Sequence, residues 1–358
     1  MNNDITKPDI SVIVAVGRDD FSRCLTSLLD QDFPRNRYEI IVVSDREMDV
    51  PPADNVIPLK VTGKNPSTKR NRGARRARGG ILAFIDDDAW ARRDWLTNGF
   101  RFLNKYPGAA GVGGPRILPP GASFRQKATD IIAHSRFFGN GHGNWREMQV
   151  RNKVPHGMIN SCNYFIRREL FLKLGGYNEA IGYGGEDTEF IYRAVTRGGC
   201  LFGYTWDLIV FHPPRDLGWG LVKQRFRYRV QNGKMLWVHP GIYLSRWTFS
   251  IGLFGISIFI IAFLLKPLIF PLGLLVYFIC AGLVSLKYAR YDPRFVLVLP
   301  PAFFIHHVIY YLAIWKGILT GLFKRSSIQE IKEFRKRNKK EATVGAASSR
   351  DHRGRMSE

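Results

Sequence analysis

Cysteine is scarce in this sequence: four residues in 358, Cys24, Cys162, Cys200 and Cys280, widely separated along the chain. Such spacing encodes neither a disulfide framework nor a cysteine-based zinc motif. Acids are also few, 30 Asp+Glu against 53 Lys+Arg, which leaves a formal net charge of +23. No helix-turn-helix, RNP or zinc-finger signature accompanies that excess, so nucleic acid is not needed to explain it. The phosphate loops Gly-x-Gly-x-x-Gly and Gly-x-x-x-x-Gly-Lys are missing after the first apolar run, which argues against a nicotinamide enzyme and a P-loop ATPase. Residues 1–9 hold no apolar core and do not read as a signal peptide. What is plentiful excludes disorder. Hydrophobic residues at 45% and aromatic residues at 13% can build a core, and the length suggests about two domains.

Charge is what the last third lacks. Phe249–Leu265 (17 residues) and Leu268–Leu286 (19) contain none, and Phe295–Trp315 (21) is interrupted only by Pro300-Pro301 and His306-His307. At about 1.5 Å per helical residue these runs reach roughly 26–32 Å, close to a bilayer core. Three in succession leave no polar face for a soluble bundle, so a purely soluble chain is excluded. The cations of Lys287–Arg294 and Arg335–Lys340 favour the cytoplasmic side. Three complete spans would then put the tail on the wrong side, unless the run broken by Pro300-Pro301 re-enters instead of crossing. Two spans and a third, full or re-entrant, are expected. Before them, Lys223, Arg225, Arg227, Arg229 and Lys234 interleave with Trp219, Phe226 and Tyr228, the pattern of an interfacial helix against anionic headgroups. The expected layout is a tail at 1–9, an α/β domain at 10–214, and a basic amphipathic interfacial segment at 215–248. A transmembrane region at 249–322 follows, with apolar segments 249–265, 268–286 and 295–319, then a basic, disordered cytoplasmic tail at 323–358.

Within 10–214 the pattern alternates. Ile10–Val16 is a nearly continuous apolar run ending at Gly17, as for a strand buried on both faces. Phe21, Cys24, Leu25, Leu28 and Leu29 then recur at helical spacing. Tyr38–Val43 is a second strand ending at Ser44-Asp45, Thr68–Arg78 a helix, and Ile81–Ile85 a third strand ending at Asp86-Asp87-Asp88. Strand, helix, strand predicts a mostly parallel sheet with helices on both faces, whose ligands bind at the carboxyl ends of the strands. Three consecutive acids there repel one another unless a cation sits among them, and oxygen clusters of this kind suit Mg²⁺ or Mn²⁺. They also suit a solvated turn, or the cap of a helix over Asp94–Leu103. The row Lys69, Arg70, Arg72, Arg75 and Arg76 precedes the same strand, with one or two members expected to reach a polyphosphate.

These residues resemble family 2 glycosyltransferases of the GT-A fold. The likeness is carried by Ser11–Val16, Glu39–Asp45, Lys69-Arg70-Asn71-Arg72-Gly73, Phe84–Asp88, Gly175–Glu179 and Gly184–Thr188, in this order. It implies a nucleotide-diphospho-sugar transferase with a Rossmann-like domain and C-terminal transmembrane helices, inverting transfer, and Mn²⁺ or Mg²⁺ as cofactor. On that resemblance Val16, Asp45, Arg70, Asp86 and Asp87 bind the nucleotide sugar, Asp45 reading the nucleobase and Arg70 meeting the diphosphate. Asp88 and His212 hold the metal. Asp187 removes the proton of the acceptor hydroxyl, with Glu186 orienting the acceptor or the helix. An inverting displacement needs one base opposite the leaving group, and a carboxylate suffices; the departing diphosphate needs cations placed beforehand. Lys69 stands where alanine is usual and Ser44 where many members carry a second aspartate, which leaves the nucleobase open. Gln224–Tyr228 echoes the Gln-x-x-Arg-Trp motif of processive synthases, with Gln224 and Arg227 as acceptor or diphosphate contacts. His156–Asn160 is expected to form an acceptor-side loop.

The leading expectation is a membrane-anchored enzyme at the cytoplasmic face of the plasma (inner) membrane. Its partners are a nucleotide-diphosphate sugar, a lipid-linked or glycan acceptor and membrane lipids. A processive polysaccharide synthase is the alternative, and a non-catalytic membrane scaffold a third.

Overall fold

Period-two burial on both faces builds the sheet. In β1 (Ile10–Ala15), Ile10, Val12 and Val14 point to one layer and Ile13 to the other. In β2 (Tyr38–Ser44), Ile40 and Val42 oppose Ile41 and Val43 in the same way. The computed structural model describes residues 7–135, 138, 148–151, 154, 157–244, 257, 260–261, 263–264, 266, 269–323 and 328–333. Further strands are β3 (Val56–Lys60), β4 (Ile81–Asp86), β5 (Trp90–Ala91), β6 (Ala109–Gly113), β7 (Arg116–Ile117), β8 (Met148–Arg151), β9 (Asn163–Arg167), β10 (Leu201–Tyr204) and β11 (Val210–Phe211). Eight form one sheet in the order β3-β2-β1-β4-β9-β6-β10-β8, and β5-β11-β7 form a small second sheet. β1 pairs in parallel with both β2 and β4, so the winding reverses there and opens a crevice at their carboxyl ends.

The helices are α1 (Ser22–Leu29), α2 (Pro66–Arg76), α3 (Trp95–Lys105), α4 (Phe124–His134), α5 (Arg168–Lys173), α6 (Glu186–Gly198) and α7 (Trp219–Met235). α1 and α3 contribute Cys24, Leu25, Leu28, Trp95, Leu96 and Leu103 to one face of the sheet. Ala74 of α2, Phe171 of α5 and Phe190, Ile191 and Ala194 of α6 join the layer on the other. Burying one such side chain contributes about 1.5–3 kcal/mol, and both faces are covered, as the parallel strands of this mixed sheet require. At the end away from the crevice, buried Glu39 accepts from Ser11 Oγ (2.6 Å) and from Arg78 N (2.7 Å) and Nε (2.8 Å). A Cβ on Gly79 would lie 2.7 Å from the backbone of Ile10 and Ser11, so glycine alone lets the chain pass there.

The chain divides into two compact units. The first holds the sheets and takes in described residues up to Pro119, from 148–213 and from 329–333; the second takes 120–138 and 214–328. The segment carrying α4 therefore leaves the span read as one domain at 10–214. Ala128 and Ile132 of α4 pack instead with Ala281, Phe295, Leu299 and Phe303, which the local sequence pattern could not show. In the second unit, helices Ile269–Ala289 and Phe295–Phe323 are long and apolar enough to cross a membrane by length and composition. The first leaves Leu272, Leu275, Val276, Ile279, Leu283 and Leu286 exposed, an apolar surface that water would not favour.

The break expected at Pro300-Pro301 does not occur: the helix runs through both prolines from Phe295 to Phe323. Each proline removes a backbone hydrogen bond, but Phe295, Leu299 and Phe303 are buried on either side, and that packing offsets the loss. Helix α7 crosses the same helix closely, and a Cβ on Gly233 would come 2.2 Å from Ile314 O. Most of the run 249–265, His156 and residues 334–358 lie outside the described residues.

Candidate active site

Two strand registers assemble the site. β4 and β9 are antiparallel with Ile85 opposite Asn163, so one step further Cys162 falls beside Asp86. β5 and β11 pair Trp90 with Phe211, so His212 continues toward Ala89 and its neighbour Asp88. Asn163 locks the arrangement: it accepts from Trp95 Nε1 (2.8 Å) and donates to Pro115 O (2.8 Å) and Leu208 O (2.7 Å). His212 N also donates to Ile117 O at 3.0 Å.

The three acids end up with different partners. Asp86 accepts from Arg70 at 2.6 Å. Asp87 accepts from the backbone N–H groups of Gly17 (2.7 Å) and Arg18 (2.9 Å), so this carboxylate fastens the turn after β1. Asp88 is paired with His212 Nε2 at 3.0 Å and with the Arg18 guanidinium. Burial works to raise the Asp88 carboxyl, but the His212 hydrogen bond and charge, with Arg18, outweigh it and hold it below the usual range. For His212 burial works downward, and its bonds to Asp88 and Cys162 carry it upward. Asp87 is raised by burial and by its two acidic neighbours, against its backbone donors.

Helix α2 presents three consecutive buried polar residues to this crevice. It is started by Asn65, whose side chain accepts from Ser67 N, with Pro66 in the first turn. Lys69 Nζ donates to Val16 O (2.6 Å) and pairs with Asp45, lowering that carboxyl through the hydrogen bond. Arg70 donates to Asp86 and to Glu186 (3.0 Å). Asn71 donates to Tyr177 O and Glu179, both at 2.8 Å. Arg72, Arg75 and Arg76 are exposed. Of the basic row Lys69 and Arg70 reach the strand-end acids, Arg75 reaches Glu179 (3.7 Å), and Arg70, expected to meet a diphosphate, has both terminal nitrogens on carboxylates.

Gly184 and Gly185, at φ +94° and +98°, turn the chain into α6 in a conformation L side chains rarely adopt. Glu186 and Asp187 therefore occupy the first turn, where the helix dipole favours acids. Asp187 accepts from Ser161 N (3.3 Å) and Thr188 N (2.6 Å). Glu186 is pushed up to about 7 by burial and by Asp187, with Arg70 opposing. Through Arg70 the α6 acids and the strand-end acids share one charge network.

Val16, Asp45, Arg70, Asp86, Asp87, Asp88, Glu186, Asp187 and His212 all lie in the first unit; Gln224 and Arg227 lie on α7 in the second. Sequence reasoning missed Arg18 and Cys162. Arg18 carries no signal beyond following Gly17, whereas Cys162 was readable only by extending the β4–β9 register. Two carboxylates and an imidazole suit a hard to borderline divalent ion, and Asp88 with His212 would hold it, Arg18 and His212 now supplying the positive charge there.

A mixed sheet with a switch point beside β1, an acid triplet on its rim and a second acid pair on a helix tied to it through Arg70 fit the GT-A architecture. The family model "Glycosyl transferase family 2" matches residues 11–175 and "N-terminal domain of galactosyltransferase" matches 147–209. Glycosyltransferase AglE of Haloferax volcanii is 26% identical over 73% of this chain and 83% of its own. The dolichyl N-acetyl-alpha-D-glucosaminyl phosphate 3-beta-D-2,3-diacetamido-2,3-dideoxy-beta-D-glucuronosyltransferase of Methanococcus voltae is 22% identical over 87% and 98%. Among solved structures, the mannosyltransferase PcManGT from Pyrobaculum calidifontis, in complex with GDP-Man and Mn²⁺, superposes with a TM-score of 0.53 at 16% identity, covering 89% of this chain and 88% of that one. The chain is a glycosyltransferase, and its residues 11–175 match the family 2 domain.

Proposed function

We propose that this enzyme inverts the anomeric centre as it transfers a sugar from a nucleoside diphosphate to a lipid-linked acceptor, with Mn²⁺ or Mg²⁺ as cofactor. The observation that carries the reading is Arg70, which joins Asp86 on the donor side to Glu186 on the acceptor side. A reaction between the two acid sets needs one shared cleft.

Asp88 and His212 would hold the divalent ion, which would offset the charge of the departing diphosphate. Asp45 and Asp86 position the nucleoside. Lys69 fixes Asp45 in a single orientation by tying it to the carbonyl of Val16. Asp187 is held by two backbone N–H groups and takes the proton from the acceptor hydroxyl. Glu186 anchors Arg70 and accepts from Gly184 N at 3.1 Å, fixing the start of the helix.

The acceptor class is supported by the Methanococcus voltae relative, whose name specifies a dolichyl phosphate-linked sugar, and by the exposed apolar helix Ile269–Ala289, which anchors the chain in the membrane that carries such lipids. The catalytic unit faces the cytoplasm, on the side favoured by the cations of Lys287–Arg294. The test is product analysis with a panel of nucleotide sugars and polyprenyl phosphate-linked acceptors in Mn²⁺. A single added sugar with inverted configuration is expected; retained configuration or a long polymer overturns the reading.

A further inference from the structure

The sequence holds no multi-cysteine zinc motif, yet folding brings one thiol into a ligand set. Asp86 at the end of β4, Cys162 just before β9 and His212 just after β11 place a carboxylate oxygen, a sulfur and an imidazole nitrogen within 4.8 Å of one another. Cys162 is 4% exposed, and Asp86 and His212 are partly buried. A second buried thiol, Cys24, donates to the backbone carbonyl of Asp86, its Sγ 3.5 Å from Asp86 O. Manganese and magnesium have no use for a thiol, since both prefer oxygen and, for manganese, imidazole. The sulfur therefore selects for a softer ion.

We propose that Asp86, Cys162 and His212 form a thiophilic divalent-cation site that takes Zn²⁺ or Cd²⁺. Tetrahedral zinc with sulfur at about 2.3 Å and nitrogen and oxygen at about 2.0–2.2 Å draws its ligands to roughly 3.3–3.6 Å of one another. The observed set closes to that size by side-chain rotation, with water or a phosphate oxygen as the fourth ligand. Binding releases the thiol proton of Cys162 and the imidazolium proton of His212 to solvent, as ligation by thiolate and neutral imidazole requires. Asp86 exchanges its bond to Arg70 for the ion, and His212 exchanges its bond to Asp88. The ion therefore takes over Asp86, which the glycosyl-transfer reading assigns to the nucleoside, and His212, which it assigns to the catalytic metal. On that reading, zinc inhibits transfer in competition with manganese; the site itself does not depend on it.

The experiment is titration of the full-length protein in detergent with Cd²⁺ alone, following the ultraviolet thiolate-to-cadmium charge-transfer band. One Cd²⁺ per chain is expected, with the band retained by Cys280→Ser and lost in Cys162→Ser, and with affinity at least about tenfold weaker in His212→Ala, roughly 1.4 kcal/mol. A band that survives in Cys162→Ser, or disappears in Cys280→Ser, overturns the proposal. Cys162→Ala, with folding followed by circular dichroism, serves if the serine variant does not fold. If the enzyme proves inactive with every sugar tried, the spectroscopic result still decides the site.

Discussion

Two pairs of neighbouring carboxylates in the same domain behave in opposite ways. At the rim of the sheet, Asp88 is held low because His212 and Arg18 close on it. At the start of α6, Glu186 rises to about 7 although Arg70 is only 3.0 Å away. Arg70 must divide one charge between Asp86 and Glu186, and Glu186 is the more buried of its two partners, with side-chain exposure of 10% against 27%. Desolvation therefore dominates at Glu186, which has one divided cation, and pairing dominates at Asp88, which two cationic groups face. At the rim Asp88 thereby keeps its charge more readily, and at the helix start Glu186 holds its proton more readily.

The largest expected effect tests the division of labour. Asp187→Asn should lower turnover by about 10³-fold or more, near 4 kcal/mol, while the nucleotide-sugar dissociation constant stays within about threefold. Steady-state kinetics with calorimetry of donor binding checks this, and unchanged turnover removes Asp187 from the chemistry. Next in size, Arg70→Met leaves Asp86 and Glu186 facing one another without a counter-charge. A loss of about 3 kcal/mol or more in unfolding free energy is expected, read by denaturant melts; a loss under about 1 kcal/mol would mean the network contributes little.

A smaller effect concerns how the rim is built. Asn163→Ala removes the acceptor of Trp95 Nε1 and the donors to Pro115 and Leu208, at about 2 kcal/mol for the unsatisfied groups. Because Leu208 leads into β11, Mn²⁺ affinity should weaken along with stability. A stable variant with unaltered metal binding would separate His212 from this anchor. The smallest effect sharpens the comparison directly. A carboxyl raised from 4.5 to about 7 on folding binds more protons in the native state between those values. Its contribution to stability is therefore greatest below about pH 4.5 and is lost as the pH rises toward 7. Glu186→Gln should flatten that part of the stability–pH curve, and an unchanged slope would place the titration elsewhere.

Much of this site is legible in one dimension. Ile10–Val16, Tyr38–Val43 and Ile81–Ile85 announce their strands by continuous apolar character, and Asp86–Asp88 stand where a parallel sheet binds ligands. Glu186-Asp187 follow two glycines and precede a helical repeat. Arg70 was legible as a cation of the site, but its two carboxylate partners, 16 and 116 residues away, were not. Lys69 looked like one more member of a basic row, yet it is buried and bound to Asp45, because the face of α2 against the sheet is set by Gly73 and Ala74, which pack on the core. Pro300-Pro301 looked like an interruption and is not one, since burial around it outweighs two missing hydrogen bonds.

Composition and periodicity determined that this chain would be an α/β domain with acids at its strand ends, joined to helices too apolar for water. Those properties depend on which residues are neighbours in sequence, and elementary sterics and hydration act on them locally. Which acid would be charged, which cation would serve it, and that Cys162 would meet His212 were decided only when β9 and β11 paired in their registers. A shift of one residue in either pairing would turn those side chains to the opposite face.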